Sequence, residues 1–334
     1  MKTPQRALAL LLGMIVSTFA AGTAEAACAI NAIGLTITPL TASTGTYTPP
    51  SAPSAQQVTF TVSGTYTSVL AGTCRLAVSF NRASLPASMA ISGGGGATLP
   101  YTITSAAGGG NTLLYTGAGL PAAANLLTFS FPAPVLGVNQ PFSVNLTAYF
   151  QAIPGTPQAA GNYSDNPSVV IFDGLAPAIV LLISRAFTVT GAVAGVCTIG
   201  GIAHPTADVA TIPISAVGVV NTSPIPKSYL NAACNAPSQL QLTSQKGAVT
   251  TTSSATGFAK LINYSATASF SGANASLNTA TNPAATGPES GTAIAASGGT
   301  PTGTLSVTIT PQANSQPLIT GSYSDTLTIT ITPQ

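Results

Sequence analysis

The chain has 334 residues, of which 45% are hydrophobic and only 4% are charged, with a formal net charge of +2 at pH 7. With so few basic side chains there is no patch to neutralise phosphates, so nucleic acid is a poor partner. Intrinsic disorder is disfavoured, because disordered chains combine low hydrophobicity with high net charge. A composition rich in Thr, Ser, Val, Gly and Pro instead favours strands and turns.

The first 26 residues have the features of a secretion signal. Lys2 and Arg6 precede an apolar stretch at residues 8–19, and Ala24-Glu25-Ala26 has the small-x-small pattern of a cleavage site. Cleavage there leaves one alanine ahead of Cys28. We therefore expect the mature chain to have no free N-terminal segment to lend to a neighbouring subunit.

Four cysteines behind a secretion signal imply disulfides and an oxidising compartment. Three pairings are possible, and the grouping of two cysteines in each half favours Cys28–Cys74 and Cys197–Cys234. Each bridge would stabilise the fold by about 4 kcal/mol. A lipid-anchored Cys28 is a weaker alternative, because Glu25 stands where such signals have a leucine-like residue and because Cys74 would lose its partner.

Two-residue alternation of apolar and polar side chains predicts strands, and no segment shows a sustained helical period. Turn signals rich in Gly and Pro separate these segments. The pattern predicts an all-β chain of antiparallel sandwiches. The clearest strand predictions are residues 58–62, 76–80, 126–131, 142–150, 305–309 and 327–331.

The chain also repeats itself once. Gly-Asn-Tyr-Ser-Asp at residues 161–165 and Gly-Ser-Tyr-Ser-Asp at residues 321–325 each precede an alternating apolar segment. We therefore expect two copies of one domain. The predicted division is a signal peptide at residues 1–26, an N-terminal domain at 27–176 and a C-terminal domain at 184–334.

The two predicted domains differ in how they are closed. The apolar run at residues 178–183 is too short to span a membrane, and we expect it to close the first sandwich from within the chain. The strand at 327–331 has no closing strand after it, so the second sandwich is expected to offer an open edge to another chain.

Candidate catalytic residues are few. His204 is the one histidine, and it stands before a proline in a turn-like setting. Asp165 and Asp325 occupy equivalent places in different domains, so they are expected to fix turns rather than to act as a catalytic pair. The sequence predicts no enzyme activity, no cofactor and no metal site.

The ordered combination of short motifs resembles the spore coat protein U-like domain, twice over. The second copy departs from the pattern at residues 243–303. The segments that carry the resemblance in the first copy are Gly45-Thr46-Tyr47-Thr48-Pro49, Cys74-Arg75-Leu76, Leu99-Pro100-Tyr101-Thr102-Ile103 and Ala160-Gly161-Asn162-Tyr163-Ser164-Asp165. Those in the second copy are Phe187-Thr188-Val189-Thr190, Cys197-Thr198-Ile199 and Thr320-Gly321-Ser322-Tyr323-Ser324-Asp325-Thr326.

This family includes the subunits of archaic, Csu-type chaperone–usher pili. The resemblance implies two tandem immunoglobulin-like β-sandwiches, of which the C-terminal one is an incomplete pilin fold. It implies a tip adhesin that is secreted through the periplasm to the cell surface and promotes attachment and biofilm formation. The implied partners are a periplasmic chaperone, an outer-membrane usher, the next pilin subunit as strand donor, and an abiotic or host surface.

Two other functions remain open at this stage. One is a structural coat or extracellular matrix protein that self-assembles at a cell or spore surface. The other is a carbohydrate-binding lectin, which ranks lower because the chain has no Trp and few carboxylates.

The resemblance also implies adhesion through exposed apolar loops. If successive strands simply alternate in direction, the outward loops of the first domain are residues 85–98, 117–125 and 153–160. A crossover connection, or burial of these side chains in the core, would remove that placement. The predicted contact residues are Leu85, Pro86, Met89, Leu120, Pro121, Ile153 and Pro154.

Overall fold

The computed structural model describes residues 28–38, 40–49, 51–68, 73–92, 96–117, 120–132, 137–154, 158–173, 180–200, 208–254, 256–281, 285 and 287–334. For residues 28–38, 68, 73–74, 131–132, 173 and 180–182 it describes the backbone only. Throughout these ranges the chain is all-β, in several sheets, as the alternation predicted. None of the described segments forms a helix of the length and hydrophobicity needed to cross a membrane.

The first half of the chain, up to Val193, contains fourteen strands among its described residues and one short 3₁₀ turn at Ala123–Asn125. The strands are β1 (Cys28–Thr38), β2 (Thr41–Tyr47), β3 (Gln56–Ser68), β4 (Thr73–Arg82), β5 (Ser88–Ile91), β6 (Thr98–Ala106), β7 (Gly109–Thr112), β8 (Leu114–Thr116), β9 (Leu127–Pro132), β10 (Asn139–Ala152), β11 (Gly161–Asp165), β12 (Ser168–Asp173), β13 (Val180–Ala186) and β14 (Thr188–Val193).

Two sheets enclose the core of this half. One has the order β1-β3-β10-β6-β5-β11-β14-β2 with β7 on β6, and the other has the order β13-β12-β4-β8 with β9 on β4. The pairs are antiparallel except β14 with β2 and β4 with β8. Alternation explains the packing, since on β10 the side chains of Leu146, Ala148 and Phe150 are buried while Ser143 and Asn145 face solvent.

Residues 180–193 form two consecutive strands, β13 and β14, that close the first sandwich. β13 pairs antiparallel with β12, and β14 pairs antiparallel with β11 and parallel with β2. Between them, Phe187 is 3% exposed, and its ring centroid lies 5.5 Å from that of Phe60, 5.7 Å from that of Phe80 and 6.1 Å from that of Phe150. The strand predicted at 178–183 thus corresponds to β13, although residues 178–179 lie outside the described residues.

The pairing also bears on where the two halves divide. Residues 184–193, which the predicted limits assigned to the C-terminal domain, pair with strands of the first half. We therefore propose a division at residues 194–196, which join β14 to the next strand.

The second half has eleven strands among its described residues and a short 3₁₀ turn at Thr279–Thr281. The strands are β15 (Cys197–Ile199), β16 (Ile225–Cys234), β17 (Ser238–Ser244), β18 (Val249–Thr250), β19 (Leu261–Ile262), β20 (Tyr264–Phe270), β21 (Ala273–Asn278), β22 (Glu289–Ser290), β23 (Ile294–Ala295), β24 (Thr302–Pro311) and β25 (Leu327–Pro333).

One sheet of this half has the order β15-β16-β24-β20-β21, and the facing sheet has β17 paired with β22, β23 and β25. Their inner faces share one apolar core. The disulfide between Cys197 and Cys234 joins β15 to β16, which confirms that predicted pairing. The side chains of Cys28 and Cys74 lie outside the described residues, so their pairing stays a prediction.

Candidate functional site: the open edge of the second half

The two copies of Gly-x-Tyr-Ser-Asp make equivalent hydrogen bonds through the tyrosine and the aspartate. The Tyr163 hydroxyl donates to the carbonyl oxygen of Ala159 at 2.6 Å, and the Tyr323 hydroxyl lies 2.9 Å from that of Ile319. In both cases the acceptor is four residues upstream, the arrangement called a tyrosine corner in immunoglobulin-like sandwiches. The sequence repeat is therefore a structural repeat.

The aspartate of each copy completes an equivalent network. Asp165 accepts hydrogen bonds from the Tyr101 hydroxyl at 2.8 Å and from Arg82, at the end of β4. Asp325 accepts from the Tyr264 hydroxyl and from Ser244, at the end of β17, both at 2.6 Å. Each carboxylate is thus held by a tyrosine of one sheet and by the strand end of the other.

These networks are structural in character. Burial, reinforced by the hydrogen bond to the aspartate, raises the pKa of Tyr101 and of Tyr264. Both phenols therefore stay neutral and serve as hydrogen-bond donors. Among the described residues there is no group of three or more His, Cys, Asp or Glu side chains that could hold a metal ion, and His204 lies outside them.

The strand that follows each repeat differs in its neighbours. β12 lies between β4 and β13, whereas β25 pairs with β17 and, within the described part of the chain, with no strand on its other side. Likewise β11 lies between β5 and β14, whereas the equivalent Ser324, as far as the structure describes the chain, joins no strand and forms an isolated backbone bridge to Thr250. The second half therefore presents an open edge beside β25.

Burial follows the same difference. In the sequence repeat, Val169 and Ile171 on β12 correspond to Ile329 and Ile331 on β25. The first two side chains are 0% exposed, whereas the second two are only partly buried. Tyr163, on β11 beside β14, is buried, while Tyr323 is partly exposed. Apolar side chains and backbone groups along β25 are thus left available for a further strand.

Residues 194–196 and Asn235 form the junction between the halves. The Asn235 side chain accepts from Val196 N at 2.7 Å and donates to Ala194 O at 2.9 Å. Its backbone N donates to Val196 O at 3.1 Å, and its carbonyl oxygen accepts from Ala160 N at 2.7 Å. One buried residue of the second half thereby binds both the linker and the first half.

This contact places Ala160 beside the second half, contrary to the outward direction predicted for the end of the loop at 153–160, of which residues 155–157 lie outside the described residues. Gly161 pairs with Val193 at the junction, so β11 starts beside the second half and the continuing strand β12 runs away from it. Successive strands do not simply alternate in direction here, because residues 161–173 cross from one sheet to the other. Ile153 is exposed and Pro154 partly so, but residue Ala160 is already at the junction.

The other two predicted loops leave the sheets beside the end of β4. Arg82 donates to Ser84 O, and its neighbour Asn81 donates to Gly117 O at 3.0 Å. Leu85, Pro86 and Leu120 are exposed there. Met89 is 0% exposed within β5 and Pro121 is buried, so neither can contact a surface, because both pack inward.

The end of the first half farthest from the junction, here called the distal end, was missed by the sequence argument. Its position follows from the pairs Thr67 with Asn139, Thr73 with Pro132, Leu76 with Asp173 and Asp173 with Val180. The connections between these strand ends, residues 69–72, 133–136 and 174–179, lie outside the described residues. Their sequences contain no charged residue, but neither do the predicted loops at 117–125 and 153–160, so the lack of charge alone does not distinguish this end.

Comparisons with known proteins add the following similarities. No protein-family model and no curated protein matches the chain, so the resemblance to the spore coat protein U-like domain stays a prediction. A chain of the CsuC–CsuE chaperone–tip adhesion subunit complex of Acinetobacter baumannii is 13% identical, with 92% of this chain and 100% of that chain covered and a TM-score of 0.34. The CupB6 tip adhesin of Pseudomonas aeruginosa is 9% identical, with 92% and 94% covered and a TM-score of 0.29.

A third similar structure is a single pilin. The CooA pilin subunit of enterotoxigenic Escherichia coli is 14% identical, with 47% of this chain and 91% of that chain covered and a TM-score of 0.29. At these identities and TM-scores, the function proposed below takes its support from the strand pairing and burial of this chain.

Proposed function

We propose that the chain is a non-catalytic tip adhesin of a chaperone–usher pilus, and that it mediates surface attachment and biofilm formation. The observation that supports this most directly is the contrast between the enclosed strand β12 and its equivalent β25, which has a strand on one side only among the described residues. Such an edge is an aggregation hazard unless another chain covers it.

The first half indicates what kind of strand fits that edge. Its own closing strand runs antiparallel to β11 and β12 and turns Phe187, Val189 and Val193 into the core. A partner strand beside β25 would likewise run antiparallel and place apolar side chains at alternate positions. We propose that a periplasmic chaperone supplies it first and the next pilin subunit later, at an outer-membrane usher.

The same contrast suggests a position in the fibre. The first sandwich is closed by its own chain and has no place for a strand from a partner, whereas the second sandwich has such a place beside β25. The second half would join the chain to the pilus, and the first half would stand free at the tip, outside the cell, to meet an abiotic or host surface.

Strand addition is tested by two substitutions on β25. Ile331→Asp places a charge on the partly buried, core-facing side of β25, which we propose an inserted strand covers, while Thr330→Asp, the matched control, places it on the exposed face of the same strand. We expect the full mature chain to co-purify with a co-expressed chaperone and to enter pili as wild type and T330D, but not as I331D. Equal incorporation of both variants would contradict strand addition, and chaperone-independent self-assembly would favour the coat or matrix alternative.

We further propose that attachment occurs at the distal end of the first half. Val138, the described residue that enters β10 there, is 46% exposed. Val138→Asp should reduce the binding of piliated cells to plastic. Leu120→Asp beside β4 and Ile153→Asp near the junction serve as matched controls, since both residues are equally apolar and exposed. Reduced binding in either control with normal binding in V138D would exclude the distal end.

A further inference from the structure

The second half carries a cluster of exposed apolar side chains that the open edge does not use. They are Ile214, Val217, Val219 and Phe258, which are 42%, 72%, 52% and 46% exposed, and together they are called here the basal patch. Three of them belong to a hairpin at residues 213–221, closed by a bridge between Ile214 and Val220. Clustered exposed apolar residues on a soluble domain normally mark an interaction site.

The basal patch is held in a fixed position. Leu318 N donates to Gly218 O at 2.9 Å, and the Asn314 side chain accepts from Val220 N and donates to Gly218 O, both at 3.0 Å. The hairpin residue Val220 is buried in one apolar cluster with Leu318. The backbone pairing of Ala259 with Leu318 places Phe258 next to the segment that holds the hairpin. The exposed side chains therefore stand on an ordered surface.

This surface lies at the end of the second half opposite the junction. β24 starts at Thr302, which pairs with Ala233 beside the junction, and ends at Pro311, which pairs with Tyr264. Asn314, which holds the hairpin, follows directly. Ten residues at about 3.3 Å each separate the two ends of the strand by roughly 30 Å.

The first half shows what the corresponding end does when a second sandwich is present. There the residue before Gly161 donates from its backbone to Asn235 of the second half. In the second copy, the segment before Gly321 includes Ile319, which is bonded to Ala259 next to the basal patch. The same end of the sandwich thus contacts a second sandwich in the first copy, whereas in the second copy the described residues include no such contact.

We propose that the basal patch docks against the next β-sandwich subunit of the fibre, as a contact separate from the strand inserted beside β25. This rests on the proposed function. Charged residues are absent from the hairpin, and an apolar centre of this kind suits the middle of a subunit interface.

The test compares pili carrying full-length variants of the chain. Val217→Asp and Phe258→Ser alter the patch, and Leu230→Asp is the matched control, because Leu230 is 67% exposed on β16 away from the hairpin. Thermal unfolding of each purified variant first establishes that it folds as the wild type does. The measured quantity is the rate at which the chain leaves purified pili on warming in detergent.

We expect V217D and F258S to leave about tenfold faster than wild type, a factor equivalent to about 1.4 kcal/mol, and L230D to behave as wild type. Equal rates for all variants would overturn the docking contact and leave strand addition standing. Absence of the wild-type chain from the pili would instead overturn the proposed function, and the docking contact with it.

Discussion

Replacing Phe187 by Ala tests whether residues 180–193 close the first sandwich. The ring is 3% exposed and contacts the rings of Phe60, Phe80 and Phe150. Truncating a buried Phe to Ala costs about 3–5 kcal/mol, including the cavity left behind. Because a domain of this size loses about 2–4 °C of melting temperature per kcal/mol, the first half should melt roughly 10 °C lower.

Differential scanning calorimetry of the full chain measures this shift, and amide hydrogen exchange assigns the transition to the strands that open. Phe258→Ala is the matched control, because Phe258 is 46% exposed and its loss should cost about 0.5 kcal/mol. A shift no larger than that of the control, or one confined to the strands of the second half, would refute the closing role of this segment.

Two further predictions concern the first half. Gly191→Ala should lower the free energy of unfolding by about 1–3 kcal/mol, because the added carbon would lie 2.4 Å from Thr44 Oγ1 and 2.9 Å from Met89 Cε. The midpoint of urea unfolding measures this loss, with Gly299→Ala as the control because nothing lies within 4 Å of the added carbon there. Equal midpoints for the two variants would contradict the prediction. Since burial and Asp165 raise the pKa of Tyr101 above the usual 10.0, the folded chain keeps a proton that the unfolded chain loses, so stability is full below about pH 10 and falls above it. The midpoint of urea unfolding, measured from about pH 8 to about pH 11, should fall with pH in the wild type and fall less steeply in Tyr101→Phe. An equal dependence of the midpoint on pH in the two proteins would count against the network.

The features that sequence could predict are those with a local signature. The strands at 142–150 and 305–309 alternate along their own length, so β10 and β24 were found without knowledge of their partners. The cysteine pair of the second half was predicted because two cysteines fall in each half of the chain, and β15 and β16 bring Cys197 and Cys234 together.

Features that depend on pairing between distant segments could not be predicted from the sequence. The direction of β11 depends on its pairing with β14, which lies about thirty residues further along the chain. It also depends on the chain passing from one sheet to the other between β11 and β12, and again between β13 and β14. Met89 was taken for a loop residue because β5 is only four residues long, too short for a recognisable alternation. Asn235 gave no signal, since its importance comes from carbonyl and amide groups of the linker.

The covalent bond at the start of β15 has a mechanical consequence. A force that pulls the two halves apart enters the second half at Cys197, on the edge strand β15. Without the disulfide, the hydrogen bonds of this strand could break one at a time. The bond to Cys234 passes that load directly into β16, an inner strand of its sheet. On the other side the load runs along β14, which lies between β11 and β2 and must slide past both at once. Before the linker, pulling is therefore resisted by β14, which is loaded in shear against β11 and β2. After the linker, it is resisted by the disulfide bond.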